Sequence, residues 1–313
     1  MIVAHRPEEL PPARRAVAIG TFDGVHRGHL RVLDAARTAG PLTAGPLTAG
    51  PLTAGPGMEG PDLEGLRPAV VTFDPHPRTV FGSDVELLTT LERRLELLAA
   101  AGMEDALVLR FDEELAALEP AAFADRVLRR IGAELVAAGE GFRFGRERAG
   151  DLGLLEQLGF DVHRVPLVDN VSSSHVRMLL AAGEVGRAAT LLGRPAEVEG
   201  TVGHGDHRGA GLGFPTANVA VQPDLLVPAL GIYAGAALGH PAAISIGTNP
   251  HYGGTARRVE AFLLDFEGDL YGQRLVLELW ERLRDEAAFE SEAALVEAIG
   301  RDVERTRAAV RPV

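Results

Sequence analysis

The chain has neither cysteine nor lysine among its 313 residues. Without cysteine there is no disulfide, no thiolate nucleophile and no Cys-ligated zinc or iron–sulfur site. Without lysine all 31 basic residues are arginine, which excludes Schiff-base chemistry and lysine-dependent phosphoryl transfer. Any phosphate must then be met by arginine, histidine, backbone amides and a metal ion. No apolar run approaches membrane-spanning length, and the N-terminal residues lack the pattern of a secretory signal. The expectation is a cytoplasmic protein with no membrane partner. A net charge of −13 leaves no basic surface for a phosphate backbone, so nucleic acid is not an expected partner either.

What is present is organised around one stretch, GTFDGVHRGH from Gly20 to His29. It follows the short apolar run 16–19 and precedes a helical pattern through Leu30, Val32 and Leu33. Strand, glycine-bearing turn and helix together aim backbone N–H groups and a positive helix end at a phosphate. His26 and His29 sit three residues apart, which puts both imidazoles on one helix face beside those donors. The pattern fits a nucleotide cradle, and equally a plain strand–helix turn with two surface histidines.

Three tandem copies of PLTAG follow at 41–55, inside a Gly/Pro-rich stretch from about residue 40 to 67. This composition cannot bury enough apolar surface to offset its ordering entropy, so it is expected to be a surface insertion without catalytic importance. Strands are then expected at 69–72, 106–109, 134–138 and 160–165, alternating with helices at 89–101 and 120–131. Such alternation predicts a parallel sheet with helices on both faces and ligands beyond the carboxyl ends of its strands. Asp74 and His76 fall in FDPHP, where two prolines predict a rigid turn without regular structure. Phe142 and Phe144 in GFRFG suit either a loop covering a planar ligand or ordinary anchoring to the core. Ser172, Ser173 and Ser174 open a helix. Serine there is first an N-cap, and with Arg177 one turn in, the group also suits an anion site.

Near residue 196 the pattern changes to short strand-like runs, 198–202, 231–236, 242–246, 259–264 and 274–279, separated by Gly, Pro, Asn and Asp. These predict a small antiparallel barrel or sandwich followed by a helix from about 291 to 310. The loop HGDHRGAGLGFPTAN, 204–218, is glycine-rich enough to let a backbone approach a ligand closely. Thr216 and Asn218 offer the hard oxygens that magnesium accepts beside nucleotide phosphates. Glu260 lies on the strand face opposite Val259 and Ala261, pointing either to a site or to water.

These stretches, taken in order, resemble the prokaryotic bifunctional riboflavin kinase/FAD synthetase family. The resemblance rests on GTFDGVHRGH, VVTFDPHP, GFRFGRERAGD and VSSSHVR in the first half. In the second half it rests on HGDHRGAGLGFPTANV, GIYAG, SIGTNPHYGG, VEAFLLDFEGDLYG and LRDEAAF. It covers nearly the whole chain apart from the PLTAG insertion and the first dozen residues. It implies a nucleotidyltransferase-like Rossmann-type domain over 1–186, a linker over 187–195, and a riboflavin kinase barrel over 196–313. The barrel would phosphorylate riboflavin to FMN, and the first domain would adenylylate FMN to FAD, with ATP as co-substrate and Mg2+ as cofactor in both.

The resemblance also implies roles. Glu260 matches the family's catalytic glutamate, and His26 and His29 match its adenylyl-transfer histidines. In the first half Gly20, Phe22, Asp23 and Gly28, with Ser173, Ser174 and Arg177, would bind nucleotide. In the second, Gly203, Gly205, Arg208, Gly209 and Gly213 would wrap it, while Thr216 and Asn218 hold the metal. Asp74, His76, Phe142 and Phe144 would line a flavin site in the first domain; Arg284 and Phe289 would do so in the second. One departure stands out: the family usually has an acidic or amide residue where this chain has Gly141. Two alternatives remain at this level, a riboflavin kinase with a weakened adenylyltransferase half and a flavin-binding protein without turnover.

Overall fold

The strand Arg15–Ile19 (β2) is buried at all five positions, as the centre of a sheet covered on both faces requires. In the computed structural model, which describes residues 1–38, 65–204, 213–248 and 257–312, this strand lies in the middle of a six-stranded sheet. Its neighbours are β1 (Ile2–Ala4), β3 (Arg67–Asp74), β4 (Asp105–Arg110), β5 (Ala133–Gly139) and β6 (Asp161–Val165). The order is β1-β4-β3-β2-β5-β6, and all five pairings are parallel. The PLTAG repeats lie outside the described residues.

Alternate residues of each strand face opposite cores. Val17, Ile19, Val71, Leu107 and Val136 pack with Phe123, Leu128 and Leu155. Ala16, Ala18, Val70, Ala106 and Ala137 pack with Leu33, Leu98 and Met103. The small residues on the second face let α1 (Arg27–Thr38) come close to the sheet. One charge is enclosed at the start of β2. The Arg15 Nε donates to Asp105 Oδ2 at 2.8 Å, with both side chains at most 1% exposed. Further Arg15 donors reach the carbonyls of Ile131 and Pro11, which is the condition for a buried pair to be tolerated.

From β2 the chain runs out to β3 and β4 on one side, then returns to place β5 and β6 on the other. The order therefore reverses beside β2, and open α/β sheets bind ligands beyond the carboxyl ends of the strands at such a point. Gly20 to His29 begins there.

Several expectations meet differences. Instead of an irregular turn after the FDP motif, a one-turn helix α2 (Pro77–Val80) begins at its second proline. Proline at the first helical position gives up a donor that would be unpaired anyway. Helix α3 (Leu91–Ala100) and the short α4 (Glu113–Ala116) follow. The expected helix at 120–131 is α5 (Pro120–Phe123) running into a π-helical stretch, Ala124–Arg129. Helix α6 (Leu152–Gln157) is capped by the Asp151 carboxylate, which accepts from the Leu154 amide.

The second unit comprises residues 86–90 and 170–313, the first residues 1–85 and 91–169. Six strands close into an antiparallel barrel in the order β10-β11-β8-β7-β12-β9. They are β7 (Ala196–Gly203), β8 (Ala217–Ala220), β9 (Gly231–Ala237), β10 (His240–Thr248), β11 (Arg257–Leu263) and β12 (Arg274–Arg284). Val198, Ile244, Ile246, Val259, Ala261, Leu277 and Leu279 fill the interior. Gly235 faces the carbonyl of Glu278 so closely that any Cβ there would collide with the oxygen, so only glycine allows this stretch of wall.

Helices α7 (Ser173–Ala181) and α8 (Val185–Leu192) also belong to the second unit. Their Val176, Leu179, Leu180, Val185 and Leu192 join the barrel's core cluster. The packing boundary therefore falls at 169/170, ahead of the expected boundary at 186, and the expected linker 187–195 is largely α8. Amphipathic spacing shows that a helix buries one face; it does not say against what. The last helix, α9 (Glu292–Ala308), is capped by the Ser291 hydroxyl.

Candidate functional site

The turn after β2 adopts a backbone that side-chain-bearing residues rarely take. Phe22 and Val25 have φ of 52° and 38°, and Gly24 has 79°. Each non-glycine residue held there costs about 1–3 kcal/mol and persists only where its surroundings enforce it. Phe22, Asp23, Val25 and His26 are all buried. His26 closes the turn, its Nδ1 accepting from the His29 amide at 3.2 Å, so that it caps α1. An accepting Nδ1 leaves the proton of a neutral ring on Nε2. The rings of His26 and His29 stack with centroids 3.6 Å apart and planes 11° from parallel, and Phe22 meets His29 edge-on at 5.2 Å. Gly20 precedes the turn, and Gly28 lies in the first turn of α1. A helix N-terminus with two imidazoles beside it suits an anionic phosphate.

Asp74 ends β3, and His76 caps α2 through Nδ1, which accepts from the Arg78 amide at 3.2 Å. Asp74 is half-exposed, while His76 is buried. Behind this turn lies Arg94, a residue sequence patterning did not single out. Its side chain is 4% exposed and donates to the Thr21 carbonyl at 2.9 Å. Burial pushes its guanidinium down, and the charges of Asp23 and Asp74 pull it back up. The signal was available: Arg94 shares a helix face with Leu91, Leu95 and Leu98, where an arginine is out of place.

Phe144 is 7% exposed in the core beside Phe123. Phe142 is half-buried and stacks on it, with centroids 5.7 Å apart. Gly141 is exposed, and a Cβ built there meets nothing within 4 Å.

In the barrel, register does the assembling. Glu260 of β11 pairs directly with Asn218 of β8, and Asn218 pairs on its other side with Gly203 of β7. Asn218 and Glu260 thus face each other on adjacent strands, with Thr216 just ahead of β8. Val259 and Ala261 point into the core while Glu260 faces out, 24% exposed. Arg258, on the same strand face, ties the pair together. It donates to Glu260 Oε1 at 2.5 Å and to Asn218 Oδ1 at 3.3 Å. The alternating Arg-x-Glu spacing was the signal for this contact. Gly205, Arg208 and Gly209 lie outside the described residues; Gly213 has φ of 86°.

Arg284 makes a two-pronged contact with Asp302 of α9, its Nη2 at 2.7 Å, and lies 5.6 Å from the Phe289 ring centre. On α7, Ser172 is the cap, its hydroxyl accepting from the His175 amide at 3.2 Å. Ser174 is exposed, and Arg177 donates to the Glu86 carbonyl at 2.6 Å. Ser172→Ala is accordingly expected to lower stability by about 1 kcal/mol, and Ser174→Ala to leave it unchanged, as read from denaturant midpoints of the barrel's unfolding.

Known proteins match both halves. A family model described as riboflavin kinase matches residues 192–310, and one described as FAD synthetase matches 9–47 and 59–177. The gap between the two FAD synthetase segments falls at the end of the PLTAG repeats and just beyond them. The bifunctional riboflavin kinase/FMN adenylyltransferase of Listeria monocytogenes is 33% identical, covering 98% of this chain and 97% of its own. That of Pseudomonas fluorescens is 35% identical over 96% and 95%. A solved structure from Streptococcus pneumoniae, described as a macrolide-efflux protein, is 27% identical with a TM-score of 0.81, covering 98% of each chain. Among the described residues no helix is long and apolar enough to cross a membrane. With both halves matched in order and relatives of one description aligned from end to end, the chain belongs to the bifunctional riboflavin kinase/FMN adenylyltransferase family.

Proposed function

We propose that two ATP-dependent reactions are divided between the two units, riboflavin phosphorylation in the unit of the barrel and FMN adenylylation in the unit of the parallel sheet. In the first, the ribityl 5′-hydroxyl attacks the γ-phosphorus of ATP, Glu260 takes the hydroxyl proton, and ADP leaves. A neutral hydroxyl is a poor nucleophile, and a positioned carboxylate is the economical base. In the second, a phosphate oxygen of FMN attacks the α-phosphorus of another ATP and pyrophosphate leaves. That nucleophile is already anionic, so the residues need only orient the reactants and stabilise developing charge. His26 and His29 are proposed to do this.

The observation that carries this reading is the pairing of Glu260 with Asn218 across two barrel strands. A carboxylate beside an amide, with a threonine two residues ahead of that amide, is a hard-oxygen donor set that fits magnesium. Thr216 and Asn218 would hold the ion, which when bound supplies charge neutralisation on the ATP phosphates. Among the described residues no group of three or more His, Asp or Glu side chains is arranged to hold a metal. The location proposed is the cytoplasm, the compartment that supplies ATP.

The test is chromatography of flavins after incubating the protein with riboflavin, ATP and magnesium. FMN followed by FAD is expected. FMN without FAD would favour a kinase with a weakened first half, and unchanged riboflavin a binding protein. Gly141 is what favours the weakened half. The open space around it accommodates a side chain, so Gly141→Asn is expected to fold normally and to lower the KM of adenylylation about threefold. An unchanged KM in steady-state assays would make the glycine irrelevant.

A further inference from the structure

The turn that carries His26 and His29 is held in an unfavourable backbone conformation, and something must hold it. Its first carbonyl, that of Thr21, is gripped from two sides. The Thr72 hydroxyl of β3 donates to it at 3.1 Å, and Arg94 Nη1 of α3 donates at 2.9 Å. Both donors are almost fully enclosed, Thr72 at 0% and Arg94 at 3%. The other terminal nitrogen of Arg94 lies 3.5 Å from Asp74 Oδ1, an ion pair more than a strong hydrogen bond. Its Nε is buried with no hydrogen-bond partner among the described residues.

A buried arginine without full satisfaction is a poor device for stability, because apolar side chains of similar size fill such space at least as well. Its retention therefore asks for another reason. Asp23 is 1% exposed, and both it and Asp74 act electrostatically on Arg94. Two carboxylates beside a turn meant for a polyphosphate would repel it unless a cation offsets them.

We infer that Arg94 is a positioning residue for adenylyl transfer: it clamps the Thr21 carbonyl so that the turn presents its helix start and histidines, and it offsets Asp23 and Asp74 beside the incoming phosphates. The inference rests on the assignment of adenylylation to this turn. It extends that assignment to a residue on a different element, outside every motif read from the sequence. A clamp of this kind acts on the transition state, where charge develops against preorganised donors. Loss of the clamp therefore falls mainly on kcat, while loss of the charge offset raises KM for ATP by no more than a few-fold.

The experiment measures adenylylation of supplied FMN, riboflavin phosphorylation and thermal unfolding in the full-length native protein, Arg94→Met, Arg94→Lys and Thr72→Val. Arg94→Met is expected to lose about 30-fold in adenylylation kcat, with KM for ATP within threefold and kinase activity within twofold of native. Arg94→Lys keeps the charge and one donor, and is expected within about fivefold of native. A packing role alone predicts Met at least as good as Lys, and that result overturns the inference, as does a native kcat in Arg94→Met. Where Arg94→Met does not accumulate as folded protein, Thr72→Val decides. It removes the second donor with little change of volume and should lower kcat about fivefold; a native kcat there overturns the inference too. If the native chain makes no FAD from FMN, the assignment of adenylylation to this turn fails and the inference falls with it; native FAD formation with unaltered variants overturns the inference alone.

Discussion

Glu260→Gln is expected to lower the rate of riboflavin phosphorylation by about 10²–10⁴-fold, the usual contribution of a positioned general base. Glutamine keeps the length of the side chain and one oxygen for Arg258, so the change removes charge and basicity with little else. The position tolerates it. Glu260 is on the outer face of the barrel wall at 24% exposure, while the interior is built by Val259, Ala261 and Leu263 of the same strand. Stability should therefore move by less than about 1 kcal/mol, since a partly exposed ion pair contributes little. FMN supplied from outside should still be converted to FAD at the native rate, because Glu260 belongs to the second unit and the adenylylation turn to the first. Feeding riboflavin to one sample and FMN to another, then separating flavins by chromatography, measures both. FMN formed from riboflavin at the native rate would falsify the assignment of the base.

That prediction depends on a spatial fact the sequence conveys only in part. The strand pattern around 259–264 places Glu260 on one face and Val259 and Ala261 on the other, and the structure has this alternation. The identity of its cross-strand partner was not legible. The expectation for 204–218 was a glycine-rich loop with oxygen ligands near its end. The structure adds β8 (Ala217–Ala220), four residues long, too short to register as a strand with Pro215 just before it and Asn218 within it. Pairing of Glu260 with Asn218 is a long-range consequence of barrel closure, and no local pattern encodes it.

The first half was more legible, for a physical reason. Parallel strands buried on both faces are written as continuous apolar runs, and 16–19, 69–71 and 135–138 are such runs. Ile2–Ala4 was missed because three residues at a sheet edge carry too little pattern. The helix at 173–181 was legible as a helix with a serine cap, yet its burial against the barrel depends on which unit offers an apolar partner surface. Arg94 shows the opposite case. Its place among Leu91, Leu95 and Leu98 is visible in the sequence, but the leucines alone carry the helical period and the arginine adds nothing to it. Residues that break a pattern carry as much information as those that make it.

His29→Ala should abolish FAD formation by about 10²–10³-fold while FMN formation continues, and the choice of His29 over His26 follows from their different structural duties. His26 is buried, and its Nδ1 accepts the His29 amide at the start of α1. Replacing it would remove a helix cap worth about 1 kcal/mol and open a gap, so lost activity would be ambiguous. His29 is half-buried, and its ring touches Phe22 edge-on and His26 face-on. Truncating it leaves the cap intact, because the cap uses its backbone. The expected loss is the size found when one preorganised donor to a developing negative charge is removed. It should appear in kcat, with unchanged kinase kinetics in the same preparation serving as the internal control. Equal loss of FMN and FAD formation from His29→Ala alone would remove the turn from adenylyl transfer.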